Sequence, residues 1–407
     1  MVSHGDIMNM KLFLLCLLII GFSISGCSGG GSPTNNVIPN MTGDDGSGSG
    51  GGDNGGGGMG GGTGFNDSSG AKGSWDIPKM EVVPGCLGLD CIPSIQRPKW
   101  VLASDVDYVD DTDLIYGLFD QGKVWAFPEN IGDWHEIINL ESGNKTYGFT
   151  YCPLTGSAVA LDVSATLNGF DGDFETGNVT YGVSGLLFNN NLIPYDRATG
   201  SMWSQMYLRC VNGVLRGTPM VTAPLVETTW DKWKVMQPNS LVLSNDTGFD
   251  RNYDIWPYGD YKEVEGLLFK ISTQDHRLFF KERVLGIVTD RFAPAAKAYR
   301  FTLFGTPRVI NDVAGGQPVL VAGMRDANFY ISYSRVAEDG TELTFSIKTD
   351  NPSAYPFDLV DNEGNVWNYL GLAISGARTG QRLAPTDWYN AYWFAWGTFF
   401  PGIEIYR

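Results

Sequence analysis

Two stretches, TTWDKWKVMQPNS at Thr228–Ser240 and AYWFAWGTFFPGIEIYR at Ala391–Arg407, share one design. Each holds two tryptophans three residues apart, Trp230 with Trp233 and Trp393 with Trp396, followed five residues later by Pro238 or Pro401. That spacing puts both indoles on one face of a helix, Thr228 or Thr229 can cap its start, and the proline stops it. A face repeated at helical spacing predicts a short helix docked on a sheet, with buried tryptophans, in preference to a sugar-stacking surface.

The similarity extends outward. YDRATGSMW (Tyr195–Trp203) and NGVLRG precede the first stretch, and VDNEGNVW (Val360–Trp367) and SGARTG precede the second; Gly213 and Gly217 match Gly376 and Gly380. Further upstream, DLIYGLFDQGKVWAFP (Asp113–Pro128) is similar to RVLGIVTDRFAPAAKAYRF (Arg283–Phe301), and IIN at 137–139 to VIN at 309–311. So many matched aromatic, glycine and proline positions predict tandem repeats, a first unit at 75–270 and a second, degenerate one at 271–407. Short β-branched and aromatic runs such as YGFTY, SAVALDV and LTFSIK, parted by Gly, Asn and Asp, read as strands. The expected fold is mainly β, a β-rich α+β class, with two structurally similar repeats that are each a small β-sheet or barrel-like unit with one short helix.

The amino-terminal end reads differently. Lys11 precedes the apolar run LFLLCLLIIGFSIS, too short for a stable membrane span, and then Gly26-Cys27. Residues 1–26 therefore read as a lipoprotein signal peptide, with Cys27 as the lipidated first residue of the mature chain, held to the membrane through its acyl chains. Ser28 follows where an inner-membrane retention signal would place Asp, so a lipid anchor in the outer membrane, facing the periplasm or the cell surface, is expected. Residues 27–74 are Gly-rich with little to bury and read as a flexible tether, with a reach of about 40 Å. The formal charge of −17 leaves no basic stripe for nucleic acid. The chain is expected to be a monomer in the cell envelope whose partners are the membrane, through that anchor, and a small ligand.

Polar features found in one unit only are candidates for function. The first unit alone has DWHEIIN with His135 and Glu136, Cys152 in TYCPLTGSA, Arg197 after Asp196, and Ser201 and Gln205 in SMWSQ. His135 precedes Cys152 by a hairpin's length of chain, so imidazole and thiol can meet across adjacent strands. Such a pair activates a nucleophile or holds a copper or zinc ion; a buried thiol before a proline turn is the plain alternative. HEIIN has Asn139 where H-E-x-x-H needs its second histidine, so that metalloprotease motif fails. Glu136, Asp196, Arg197, Ser201 and Gln205 are the expected ligand-binding residues. Asp196 and its counterpart Asp361 are also expected to close turns.

The run DCIPSIQRPKW…DTDLIYGLFDQGKVWAFPENIGDWHEIINLESGNKTYGFTYCPLTGSAVALD…YGVSGLLFNNNLIPYDRATGSMWSQ, with YWFAWGTFFP near the end, resembles the bacterial domain-of-unknown-function 3179 family. The resemblance implies an exported or anchored bacterial protein and carries no established activity. Family members commonly show C-P-L-C where this chain has Cys152-Pro153-Leu154-Thr155, which removes the second thiol of a redox pair. Of the cysteines left in the folded part, Cys86 and Cys91 close a short loop and are expected to form a disulfide; Cys152 and Cys210 are either bonded or two thiols. The expected function is a small-ligand or metal-binding interaction module on an exported lipoprotein. The alternative is a thiol-dependent enzyme using Cys152 with His135.

Overall fold

A computed structural model describes residues 73–168, 179–349 and 355–407. The expected signal peptide, Cys27 and nearly all of the tether lie outside the described residues. The described chain is β-rich, with six sheets and, among the described residues, four short α-helices: α1 (Glu129–His135), α2 (Val163–Thr166), α3 (Trp230–Met236) and α4 (Trp393–Phe399). The tryptophan runs form α3 and α4 as expected. Thr229 stands at the cap position of α3, but its hydroxyl bonds the Asp231 carboxylate and not the helix backbone. Among its described residues the region 75–270 holds three α-helices instead of one. Helix α1 has a glycine at its centre and is too short to show a helical period.

Each tryptophan helix lies over a hairpin. The first hairpin, Leu114–Asp120 with Lys123–Pro128, closes through Gln121 and Gly122, both at positive φ, which matches the twist of the strands. Leu225–Thr229, entering α3, joins one edge antiparallel; Leu241–Leu243, leaving it, joins the other edge parallel. The hairpin Arg283–Asp290 with Ala295–Arg300 is flanked in the same way by Trp388–Tyr392 and Glu404–Ile405 around α4. A Cβ on Gly117 would lie 1.9 Å from the Trp233 ring, and one on Gly286 2.2 Å from the Trp396 ring. Glycine at these two strand positions lets the indole rest directly on the backbone.

The remaining sheets build the rest of each half. Ile137–Ser142, Lys145–Cys152 and Ser157–Asp162 form a meander, as do Arg308–Ala314, Gln317–Met324 and Phe329–Ser334. Two further sheets end in strands stapled by an aspartate, with the Trp203 indole donating to Asp196 at 3.0 Å and the Trp367 indole to Asp361 at 2.9 Å. The halves do not own separate cores. Trp393, Trp396 and Phe399 of α4 share one buried cluster with Tyr181, Trp203 and Met206, while Trp230 and Trp233 of α3 share another with Leu320, Phe329 and Trp367. Each helix thus seals the sheets of the other half. Glu227, on the strand entering α3, crosses the same boundary to a bidentate ion pair with Arg283, at 2.7 and 3.0 Å.

Candidate functional site

Extended by two residues, the meander register would set position 135 opposite 152, since Ile137 pairs with Thr150 and the Tyr151 amide donates to the Glu136 carbonyl, but the strand begins only at Ile137. Helix α1 undoes the meeting. It runs to His135, and Glu136, at φ 55°, turns the chain before the strand begins. The imidazole is sealed elsewhere: Nδ1 lies 2.7 Å from the Pro93 carbonyl and Nε2 2.7 Å from the Tyr253 hydroxyl. A carbonyl only accepts, so Nδ1 carries the proton and Nε2 accepts from Tyr253. Burial above all lowers the His135 pKa from 6.5 to about 4, and the ring is neutral.

Cys152 is buried at the end of its strand, with its thiol donating to the Asn190 carbonyl at 3.5 Å. Burial, then the nearby Glu136 charge, pushes its pKa up to about 11. A nucleophilic thiol needs the opposite shift. Glu136, and not His135, is therefore the ionisable neighbour of this sulfur. Alkylation of the folded chain by iodoacetamide at pH 7 should be far slower at Cys152 than in the urea-unfolded chain, as read by mass spectrometry. Equal rates would contradict the burial.

The other expected ligand-binding residues serve the scaffold. The Gln205 amide donates to Thr150 and accepts from Ser157 at 2.7 Å and Asn191 at 2.7 Å, a closed network beneath the Cys-Pro loop. Asp196 accepts from Thr199 as well as Trp203, and Ser201 accepts from the Leu215 amide at 3.2 Å. Arg197 donates to Asp90 and Ser94, beside the Cys86–Cys91 disulfide, which forms as expected. Cys210 is a second buried thiol, not bonded to Cys152. Among the described residues no group of three or more His, Cys, Asp or Glu is placed to hold a metal ion, so the copper or zinc site expected at Cys152 and His135 has no ligand set there.

Glu136 and His135 give opposite pH slopes. Burial raises the Glu136 pKa from 4.5 to about 7, against the Tyr258 hydroxyl that donates to it at 3.2 Å. A raised carboxyl contributes stability that is full below pH 4.5 and lost as pH rises through 7. The depressed imidazole contributes stability that is full above pH 6.5 and lost as pH falls through 4. Each effect is about 3 kcal/mol and they oppose one another between pH 4.5 and 6.5. Glu136→Gln should therefore gain on the unmodified chain by about 3 kcal/mol between pH 4.5 and 7 in urea titrations. A constant difference would mean that Glu136 does not ionise from a buried state.

What the fold holds open is a cleft of about 480 Å³ between α1 and the segment that contains Tyr253 and Glu263. Glu129 and Asp133, four apart on α1, share its wall, so one helix face presents two carboxylates. The Tyr151 hydroxyl donates to Glu129 Oε1 at 2.5 Å, and Lys262 Nζ lies 3.2 Å from the same oxygen. Lys262 Nζ is 4.0 Å from Asp133 Oδ2 and 4.9 Å from the centre of the Trp256 ring. Asp133 is 4% exposed and its Oδ1 has no hydrogen-bond partner. Burial, then the Glu129 charge, raises its pKa well above 3.8, with Lys262 opposing and the nearby Trp256 N–H, which stops short of a hydrogen bond and is itself unpartnered, adding to that opposition. Burial also works to lower the Lys262 pKa, but Glu129 and Asp133 outweigh it and hold the ammonium above its usual value.

None of Glu129, Asp133, Trp256 and Lys262 stood out in the sequence. The one local signal was the i, i+4 acid pair inside ENIGDWH; Trp256 and Lys262 lie far along the chain in a segment without periodicity.

Residues 89–403 match the family described as protein of unknown function, DUF3179, and the chain belongs to that family. No curated protein and no solved structure matches the chain.

Proposed function

We propose that this family member is an exported lipoprotein, anchored in the outer membrane through Cys27, whose folded part is a binding module that holds a small ligand in the cleft of Glu129, Asp133, Trp256 and Lys262. The observation that carries the reading is Asp133: a buried carboxyl facing a cleft with one oxygen unpartnered costs stability and is retained where a ligand supplies the missing donor. The comparison between the halves supports it. The strand Lys123–Pro128 aligns end to end with Ala295–Arg300, which sets Phe301 opposite Glu129 and Gly305 opposite Asp133. On the reading that the chain carries two copies of one unit, neither carboxylate serves the shared scaffold. A thiol reaction gains no support from a buried Cys152 whose pKa is raised.

A thermal-shift screen of the chain carrying Cys27→Ser, against amines, amino acids, saccharides and carboxylates, tests the binding. Saturable stabilisation by at least one class, lost in Glu129→Gln, is the expected result; no stabilisation by any class would overturn the reading. Radiolabelled palmitate should enter the unmodified chain and not Cys27→Ser.

A further inference from the structure

We infer that the cleft recognises an organic cation of the guanidinium or primary-ammonium type, and that Lys262 is a built-in occupant which this cation displaces. The inference rests on the binding-module reading and gives its ligand a chemistry. Seven acidic side chains line the cleft against a single lysine, a field that gathers cations and repels anions. The ammonium of Lys262 already sits where such a ligand would: 3.2 Å from one carboxylate, 4.0 Å from a second and over an indole face at 4.9 Å. Carboxylates for charge and an indole face for cation–π attraction are what an ammonium or guanidinium site needs.

Lys262 fills this place incompletely. At 4.0 Å it makes no hydrogen bond to Asp133, whose Oδ1 stays without a donor although the side chain is nine-tenths buried or more. The Lys262 side chain is 34% exposed and stems from a turn segment, so it can swing into water without unmaking a strand or helix. A guanidinium presents a planar fork of donors and can reach Glu129 and Asp133 together while lying on Trp256. The incoming cation thereby satisfies the oxygen that the lysine leaves bare.

Isothermal titration calorimetry of the Cys27→Ser chain at low ionic strength tests this. The probes are agmatine and 1,5-diaminopentane, with glucose and succinate as neutral and anionic controls. Agmatine should bind, the controls should not, and Lys262→Met should tighten agmatine about tenfold. Glu129→Gln should weaken it about tenfold, and Asp133→Asn, of the same shape but without the charge, provides a second folded variant that should also weaken it. Weaker agmatine binding in Lys262→Met would make the lysine part of the recognition and overturn the displacement. Agmatine affinity unchanged in both Glu129→Gln and Asp133→Asn would reduce it to unspecific attraction. If glucose or succinate binds in a Glu129-dependent way and agmatine does not, the cation inference fails while the binding module stands. If nothing binds, both fail.

Discussion

Glu227→Ala is expected to lower stability by about 3–5 kcal/mol, because it strands a guanidinium whose side chain is only 19% exposed. Glu227 is 4% exposed; it accepts both arms of Arg283, an amide hydrogen from Asn328, and another from Asn390 at 3.1 Å. All three donors come from the other half of the chain. Removing the carboxylate leaves Arg283, beside the buried Tyr116 hydroxyl that has no partner of its own, without its ion-pair partner and with only the more distant Glu129 charge to offset it. The cost of a lone buried charge exceeds the net worth of the pair, so the double variant Glu227→Leu with Arg283→Met should recover much of the loss. Urea denaturation of the two variants measures this. If the single variant unfolds at the urea concentration of the unmodified chain, the pair does not hold the halves together.

Trp233→Ala and Trp396→Ala should each cost about 3–5 kcal/mol, the loss expected when a buried indole is truncated in a packed core. Both rings are fully buried, and Trp233 also donates to Ser240 at 2.9 Å. The glycine beneath each ring makes the test sharper. Gly117→Ala alone forces a methyl group into the indole and should cost about 1–3 kcal/mol. In the Trp233→Ala background the same methyl enters the space the ring has left, so its cost should vanish or change sign. Additive effects in that double-mutant cycle would mean that ring and backbone are not in contact.

The tryptophan helices were legible because two rings at i, i+3 and a proline after them act within a dozen residues. The short β-branched strand runs were legible for the same reason, and so was the Cys86–Cys91 bond, whose partners lie in one short loop. His135 and Cys152 show where local reasoning stops. They were expected to meet across adjacent strands, but an unrecognised seven-residue helix and a positive φ at Glu136 sent the ring to Pro93 and Tyr253. The cleft was harder still. Lys262 meets Glu129 across 133 residues of chain, and only the packing of an irregular segment on α1 joins them. The sharing of cores between the halves is likewise a property of tertiary packing, invisible to composition or period.

The account turns on the cleft, and not the cysteine loop, being where the ligand sits. Calorimetric titration of the ligand that best stabilises the chain, side by side into the parent Cys27→Ser chain, Asp133→Asn and Cys152→Ala, tests that most directly. The expected result is full affinity in Cys152→Ala and at least a tenfold loss in Asp133→Asn. Full affinity in Asp133→Asn with binding lost in a folded Cys152→Ala chain would contradict it.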